Sequence, residues 1–124
     1  VIERDLLTPC GLRSLSPNDA RYRGTYIGDV HSRDGAYHQG TVWTWPAGHY
    51  AIAVLKVYGM RSRRGIDRAA KVMRGLEKHM LSEGCLNHVS EIFDADPPHT
   101  PRGCFAQAWS SAELLRLRMR MKES

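Results

Sequence analysis

Several features are scarce in this sequence. No apolar run approaches the roughly 20 residues that cross a bilayer, and no segment has the shape of a signal peptide. Cysteine is scarce, three in 124 residues, and Cys10, Cys85 and Cys104 show neither C-x-x-C nor any other metal-ligand spacing. An odd, widely spaced set of this kind points to reduced thiols in the cytoplasm rather than a disulfide framework. Histidine lacks short-range pairing, because His31, His38, His49, His79, His88 and His99 are scattered. No metal and no other cofactor is therefore expected. Strand-like alternation and a βαβ period are missing as well, so an all-α fold is expected.

What is present fits one soluble globular unit. A length of 124 residues allows at most one domain with a modest core, and 42% hydrophobic and 25% charged content are ordinary for that class. The formal net charge of +5 raises nucleic acid as a partner. Much of the basic charge, however, lies in two runs at helical spacing, Arg61–Arg74 and Arg116–Lys122. Such runs read as solvated helix faces, so neither nucleic acid nor membrane is expected as a partner.

Taken in order, residues 1–40 read as loop. Thr8-Pro9, Cys10-Gly11, Ser16-Pro17-Asn18-Asp19, Arg23-Gly24 and Asp34-Gly35 are turn signals at short intervals. A loop this long in a compact domain points to a functional rim. Thr41 to Tyr58 reads as the first helix, starting near Thr44 or Trp45 because Pro46 belongs in a first turn, and stopping at Gly59. It is apolar on nearly every face and is expected to be buried all round. Ser62 to Ser82 reads as an amphipathic second helix, with Ile66, Ala69, Met73, Leu76 and Met80 on its inner face. A third helix, largely buried, is expected from about Cys104 to Met119. The expectation is about three helices joined by long loops.

The stretch Val89 to Trp109, VSEIFDADPPHTPRGCFAQAW, is too rich in special residues to be a connector. Glu91 lies between apolar neighbours, a rigid Asp96-Pro97-Pro98 turn follows, and then come His99, Arg102, Gln107 and Trp109. Carboxylate, imidazole, guanidinium and indole gathered on one loop mark a site. A second gathering, Arg33, Asp34, Tyr37, His38, Gln39 and Trp43, offers hydrogen-bonding groups and aromatic faces of the kind that bind sugars.

These two blocks, together with LLTPCGLRSLSP (Leu6–Pro17), resemble in the same order the C-terminal end of the amylo-α-1,6-glucosidase domain of glycogen debranching enzymes of the bacterial and archaeal type. The resemblance implies the C-terminal portion of an (α/α)6 toroid. On that view residues 1–124 are a single partial domain, with 1–40 an active-site rim and 41–124 the helices and the site loop. The chain begins at Val1, so the resemblance places its start partway through a domain. The partners it implies are a glucan (glycogen or a limit dextrin) and either the missing N-terminal part of the domain or a second copy of the chain.

Enzymes resembling this chain invert at the anomeric carbon, using one carboxyl as acid and another as base roughly 6.5–9.5 Å apart. Their base is the glutamate of a motif matched by Ser90-Glu91-Ile92-Phe93-Asp94, which makes Glu91 the catalytic candidate. Their acid is an aspartate in a Trp-Gly-Arg-Asp-like motif that this sequence lacks. Asp29, Asp34, Asp94 and Asp96 do not sit in that context. General acid–base help is worth about 10²–10⁴-fold per group, so the isolated chain is expected to be close to inactive.

His38, Gln39 and Trp43 are implied substrate contacts, with Arg33, Asp34 and Tyr37 beside them. Gln107 and Trp109 line the same cavity on this view, although Trp109 reads equally as packing. His99 and Arg102 either orient the loop or hydrogen-bond sugar. Trp45 reads as core. Thr44 stands where the family usually has Pro, and Cys10 where an aromatic residue is common. Two further readings remain: a non-catalytic module that binds a glucan or a protein, and a small helical interaction protein whose basic C-terminal helix meets acidic partners.

Overall fold

The computed structural model describes residues 1–122. A π-helical turn, Ile2–Leu6, leads into β1 (Leu7–Thr8), β2 (Gly11–Arg13), α1 (Val30–Tyr37), β3 (Val42–Trp43), α2 (Trp45–Tyr58), α3 (Arg63–Ser82), β4 (Ile92–Phe93), β5 (Pro101–Arg102) and α4 (Ala108–Lys122). The all-α expectation is overturned: the fold mixes helices with a sheet. The strands form a five-stranded antiparallel sheet in the order β1-β2-β3-β4-β5. Strands of two or three residues are too short to display a period of two, so the sheet left no pattern in the sequence. The register pairs Leu12 with Trp43, and Trp43 in turn with Ile92. Residues far apart in the chain are thus set side by side one position from Glu91.

The helices follow local chemistry more closely. Ser62 caps α3, its hydroxyl accepting from the Gly65 N–H at 3.0 Å. The apolar stripe of α3 turns inward, with Ala69, Val72 and Leu76 buried and Ile66, Met73 and Met80 packed at the margin. Helix α2 starts at Trp45 with Pro46 in its first turn and ends at Gly59. It is not buried all round. Ala51, Ile52 and Leu55 face α3 and α4, whereas Val57 is 79% exposed. Two helices cover only part of its circumference.

Helix α4 begins four residues later than expected, at Ala108. The backbone before it is committed elsewhere: the Glu91 N–H donates to the Cys104 carbonyl and the Gln107 N–H to the Val89 carbonyl, both at 2.9 Å. Nor is α4 largely buried. Leu114 and Leu117 enter the core, while Trp109, Leu115 and Met119 are exposed.

Residues 1–40 are not all loop. Asp29 caps α1 by accepting from the Ser32 N–H at 2.8 Å, which lowers its pKa and commits it as a cap. The sequence VHSRDGAY has no apolar stripe and only Ala36 is buried, so periodicity could not reveal this helix.

The main core joins α2, α3 and α4 around Leu55, Leu76 and Leu117, each worth about 1.5–3 kcal/mol of burial. A second cluster joins Val42 of β3, Phe93 of β4 and nearby Ala95, with Cys10 and Tyr22 packed against it. The β1–β2 turn rests on α3 at Gly75, where an added Cβ would lie 1.9 Å from the Pro9 carbonyl oxygen. Among the described residues, no helix is long and apolar enough to cross a membrane.

Candidate active site

Buried β4 anchors the residue before it. Glu91 is half-buried, and both its carboxylate oxygens are held. Oε1 accepts a short hydrogen bond from the Tyr37 hydroxyl at the end of α1. Oε2 accepts from the Cys104 N–H at 2.9 Å. Burial, and next the bond to Glu91, push the Tyr37 hydroxyl above the ordinary tyrosine range, so it stays protonated and donates. Gly103 has φ +66°, and a Cβ there would stand 2.5 Å from Oε2 of Glu91. Only glycine combines that backbone with that approach.

Around this carboxylate opens a cavity of about 620 Å³. Its walls come from β2 (Leu12, Arg13 and the following Ser14), the end of α1 (Tyr37, His38), β3 (Trp43), the start of α2 (Trp45, Pro46) and the α4 entrance (Gln107, Trp109), with Ile2 and Leu6 at one side. Glu91 is the only carboxylate lining it among the described residues. The aromatic rings interlock. Trp43 donates its indole N–H to the Tyr37 carbonyl at 2.8 Å and stacks on His38 with centroids 4.8 Å apart. Trp109 meets Trp43 at 6.2 Å and Trp45 at 6.0 Å. Trp43 is 7% exposed and Trp109 50%, so Trp109 offers the open ring face.

The family model for amylo-alpha-1,6-glucosidase matches residues 1–116. This chain belongs to the amylo-alpha-1,6-glucosidase family. Glycogen debranching enzyme of Saccharomyces cerevisiae is 29% identical over 136 aligned positions, which cover 94% of this chain and 9% of the yeast protein.

In this amylo-alpha-1,6-glucosidase family member, the residues singled out from sequence divide into two groups. Glu91, Tyr37, His38, Trp43, Gln107 and Trp109 line the cavity. Arg33, Asp34, Gln39, His99 and Arg102 do not. Arg33 donates to the Gly28 carbonyl at 2.9 Å, Asp34 is exposed, and the Gln39 backbone ties into Ala36 and Arg23. Arg102 grips Oδ2 of Asp94 through Nε at 3.0 Å and Nη2 at 2.9 Å, while Nδ1 of His99 lies 3.1 Å from the Asp94 carbonyl. The other Asp94 oxygen accepts from the Tyr26 N–H at 2.8 Å. Asp94, His99 and Arg102 therefore shape the site loop.

Sequence reasoning missed Arg13, Ser14 and Trp45. Arg13 donates through Nη2 to the Ala95 carbonyl at 3.0 Å, and its Nε is buried without a partner among the described residues. Ser14 donates to the Thr41 carbonyl and accepts from the Gly40 N–H, both at 2.9 Å. Trp45 is not core but a half-buried wall of the cavity. Arg13 and Ser14 stand in the first motif block, where a basic residue beside a hydroxyl was the available signal. Among the described residues, no group of three or more His, Cys, Asp or Glu side chains is placed to hold a metal ion.

Proposed function

We propose that this chain supplies the water-activating half of an α-1,6-glucosidase site acting on the single glucose left at a trimmed glycogen branch point, with inversion. The observation that carries the reading is Glu91: one carboxylate, oriented by two donors, in an aromatic-walled cavity. Each carboxylate oxygen accepts one bond here and keeps a lone pair for a water molecule. Glu91 takes a proton from that water as its oxygen attacks the anomeric carbon. The bond from the anomeric carbon to the 6-oxygen breaks, and an acid outside these 124 residues protonates that departing oxygen, which leaves as a hydroxyl. Trp109 gives the sugar a flat apolar platform, and His38 and Gln107 offer hydrogen bonds.

Family membership and the likeness to a debranching enzyme support this reading. The three free cysteines support a cytoplasmic setting. Exposed Trp109, Leu115 and Met119 on α4 support a covering partner, either the rest of the family domain or a second copy of the chain.

The test is glucose release from a limit dextrin by this chain alone and after adding an upstream family segment that carries the acid. Release only in the mixture, abolished by Glu91→Gln, is expected. Unchanged release with Glu91→Gln removes Glu91 from the base role. The lone carboxylate in the cavity also favours a second reading, a non-catalytic glucan-binding module. That reading predicts retention on immobilised glycogen with no hydrolysis in any mixture.

A further inference from the structure

His79 lies in the last turn of α3 with 2% exposure, its ring edge-on to Phe93 at 4.7 Å. Its two nitrogens face different partners. Nδ1 is 3.1 Å from Oε2 of Glu83, and an ionised carboxylate can only accept, so Nδ1 carries the proton. Nε2 is then the free acceptor, and it receives the N–H of Ser90 at 3.2 Å. A neutral imidazole has one donor and one acceptor, and both are used.

The peptide group of Ser90 is held at its other end too, because the Thr44 hydroxyl donates to the Ser90 carbonyl at 3.2 Å. The Ser90 side chain adds nothing: its Oγ is buried without a partner among the described residues. The next residue is Glu91. Its carboxylate is held by the Tyr37 hydroxyl and the Cys104 N–H, and the residue before it in the chain is held by the clamp on Ser90.

We infer that His79 is a positioning residue for Glu91, acting through the Ser90 N–H and fixed in its Nδ1–H tautomer by Glu83. The functional weight of this inference rests on Glu91 being the base, but the relay itself does not. A buried histidine serving only to fill space needs neither a particular tautomer nor an acceptor aimed at Ser90. Here, loss of Nε2 leaves a buried peptide N–H unpaired directly before the catalytic candidate, and small displacements of catalytic groups reduce rate steeply.

The experiment is NMR on the whole chain, with two substitutions that separate the nitrogens. Glutamine places its amide terminus near Nε2, so His79→Gln keeps an acceptor for Ser90. The shorter His79→Asn keeps a polar group only near Nδ1. Imidazole ¹⁵N shifts are expected to show a neutral His79 protonated at Nδ1. The Cys104 amide proton and the Glu91 carboxyl carbon are expected to move in His79→Asn and to stay near wild type in His79→Gln. Glu91→Gln calibrates the full displacement of the Cys104 signal.

In the reconstituted hydrolysis assay, His79→Asn should lower kcat about tenfold or more with little change in KM, and His79→Gln should restore it. An Nε2-protonated tautomer, or unmoved Cys104 and Glu91 signals in a folded His79→Asn, overturns the inference. If His79→Asn does not fold, the wild-type tautomer and the His79→Gln signals decide it. If the NMR results hold while Glu91→Gln leaves hydrolysis intact, the relay stands and the base assignment falls.

Discussion

Substituting alanine for Gly103 should injure the chain twice, and the two injuries can be separated. The backbone sits at φ +66°, where a residue with a Cβ loses about 1–2 kcal/mol. The new Cβ would also stand 2.5 Å from Oε2 of Glu91 and 3.1 Å from Cγ1 of Ile92. Ordinary contact needs about 3.5 Å, so the carboxylate must retreat by roughly 1 Å. That movement breaks its 2.9 Å bond to the Cys104 N–H, worth about 1 kcal/mol where the pair is open to solvent. A total near 2–3 kcal/mol should move the urea midpoint by about 1 M.

Gly103→Asn carries the same Cβ on a residue that tolerates left-handed backbone. It should recover about 1 kcal/mol of stability while leaving the Glu91 carboxylate as badly displaced. Urea denaturation measures the first quantity, and the Cys104 amide shift together with reconstituted glucose release measures the second. If Gly103→Ala stays within about 0.5 kcal/mol of wild type and keeps the wild-type Cys104 amide shift, the carboxylate does not lie against Gly103 and the geometry is wrong.

Gly75→Ala tests the seat of the β1–β2 turn. Helix propensity alone predicts a gain of about 1 kcal/mol, but a Cβ 1.9 Å from the Pro9 carbonyl oxygen should turn this into a loss of about 2 kcal/mol or more. A raised Tm would refute the contact. Alkaline pH should destabilise the chain, because burial first and then the carboxylates Glu91 and Glu3 hold the hydroxyls of Tyr37 and Tyr50 above the ordinary value. Above about pH 10 the unfolded chain releases these protons while the folded chain retains them, so stability falls as pH rises. Tyr37→Phe should flatten that fall in urea titrations, and an unchanged slope would refute the shift. Burial pushes the Cys10 thiol up to about 11, so iodoacetamide at pH 8 should label exposed Cys104 well before Cys10. Peptide mass spectrometry showing equal rates would refute the burial.

Helices α2 and α3 could be read from the chain to within a residue or so, because a cap, a first-turn proline, a stop glycine and an apolar stripe act within a few positions of one another. The site's central carboxylate and five of its neighbours were legible for another reason. Glu91, Tyr37, His38, Trp43, Gln107 and Trp109, which all line the cavity, stand in motif blocks that were singled out by residue type and by the family resemblance.

Tertiary structure decided the rest. The sheet is assembled from two- and three-residue strands whose central pairings, β2 with β3 and β3 with β4, join distant segments, so no short window contains the signal of the whole sheet. Helix α1 depends on its Asp29 cap rather than on an apolar stripe, and α4 starts late because the carbonyl of Cys104 and the N–H of Gln107 pair with the Val89–Glu91 segment. Arg33, Asp34 and Gln39 share a motif with Tyr37 and His38 yet miss the cavity. Arg13 and Trp45 reach it only because β2, β3 and the start of α2 converge there. Residue type and spacing are local properties and survive in the sequence. Which side chains face one another across the sheet depends on hydrogen bonds and packing between distant segments, and that appears only when the chain is folded.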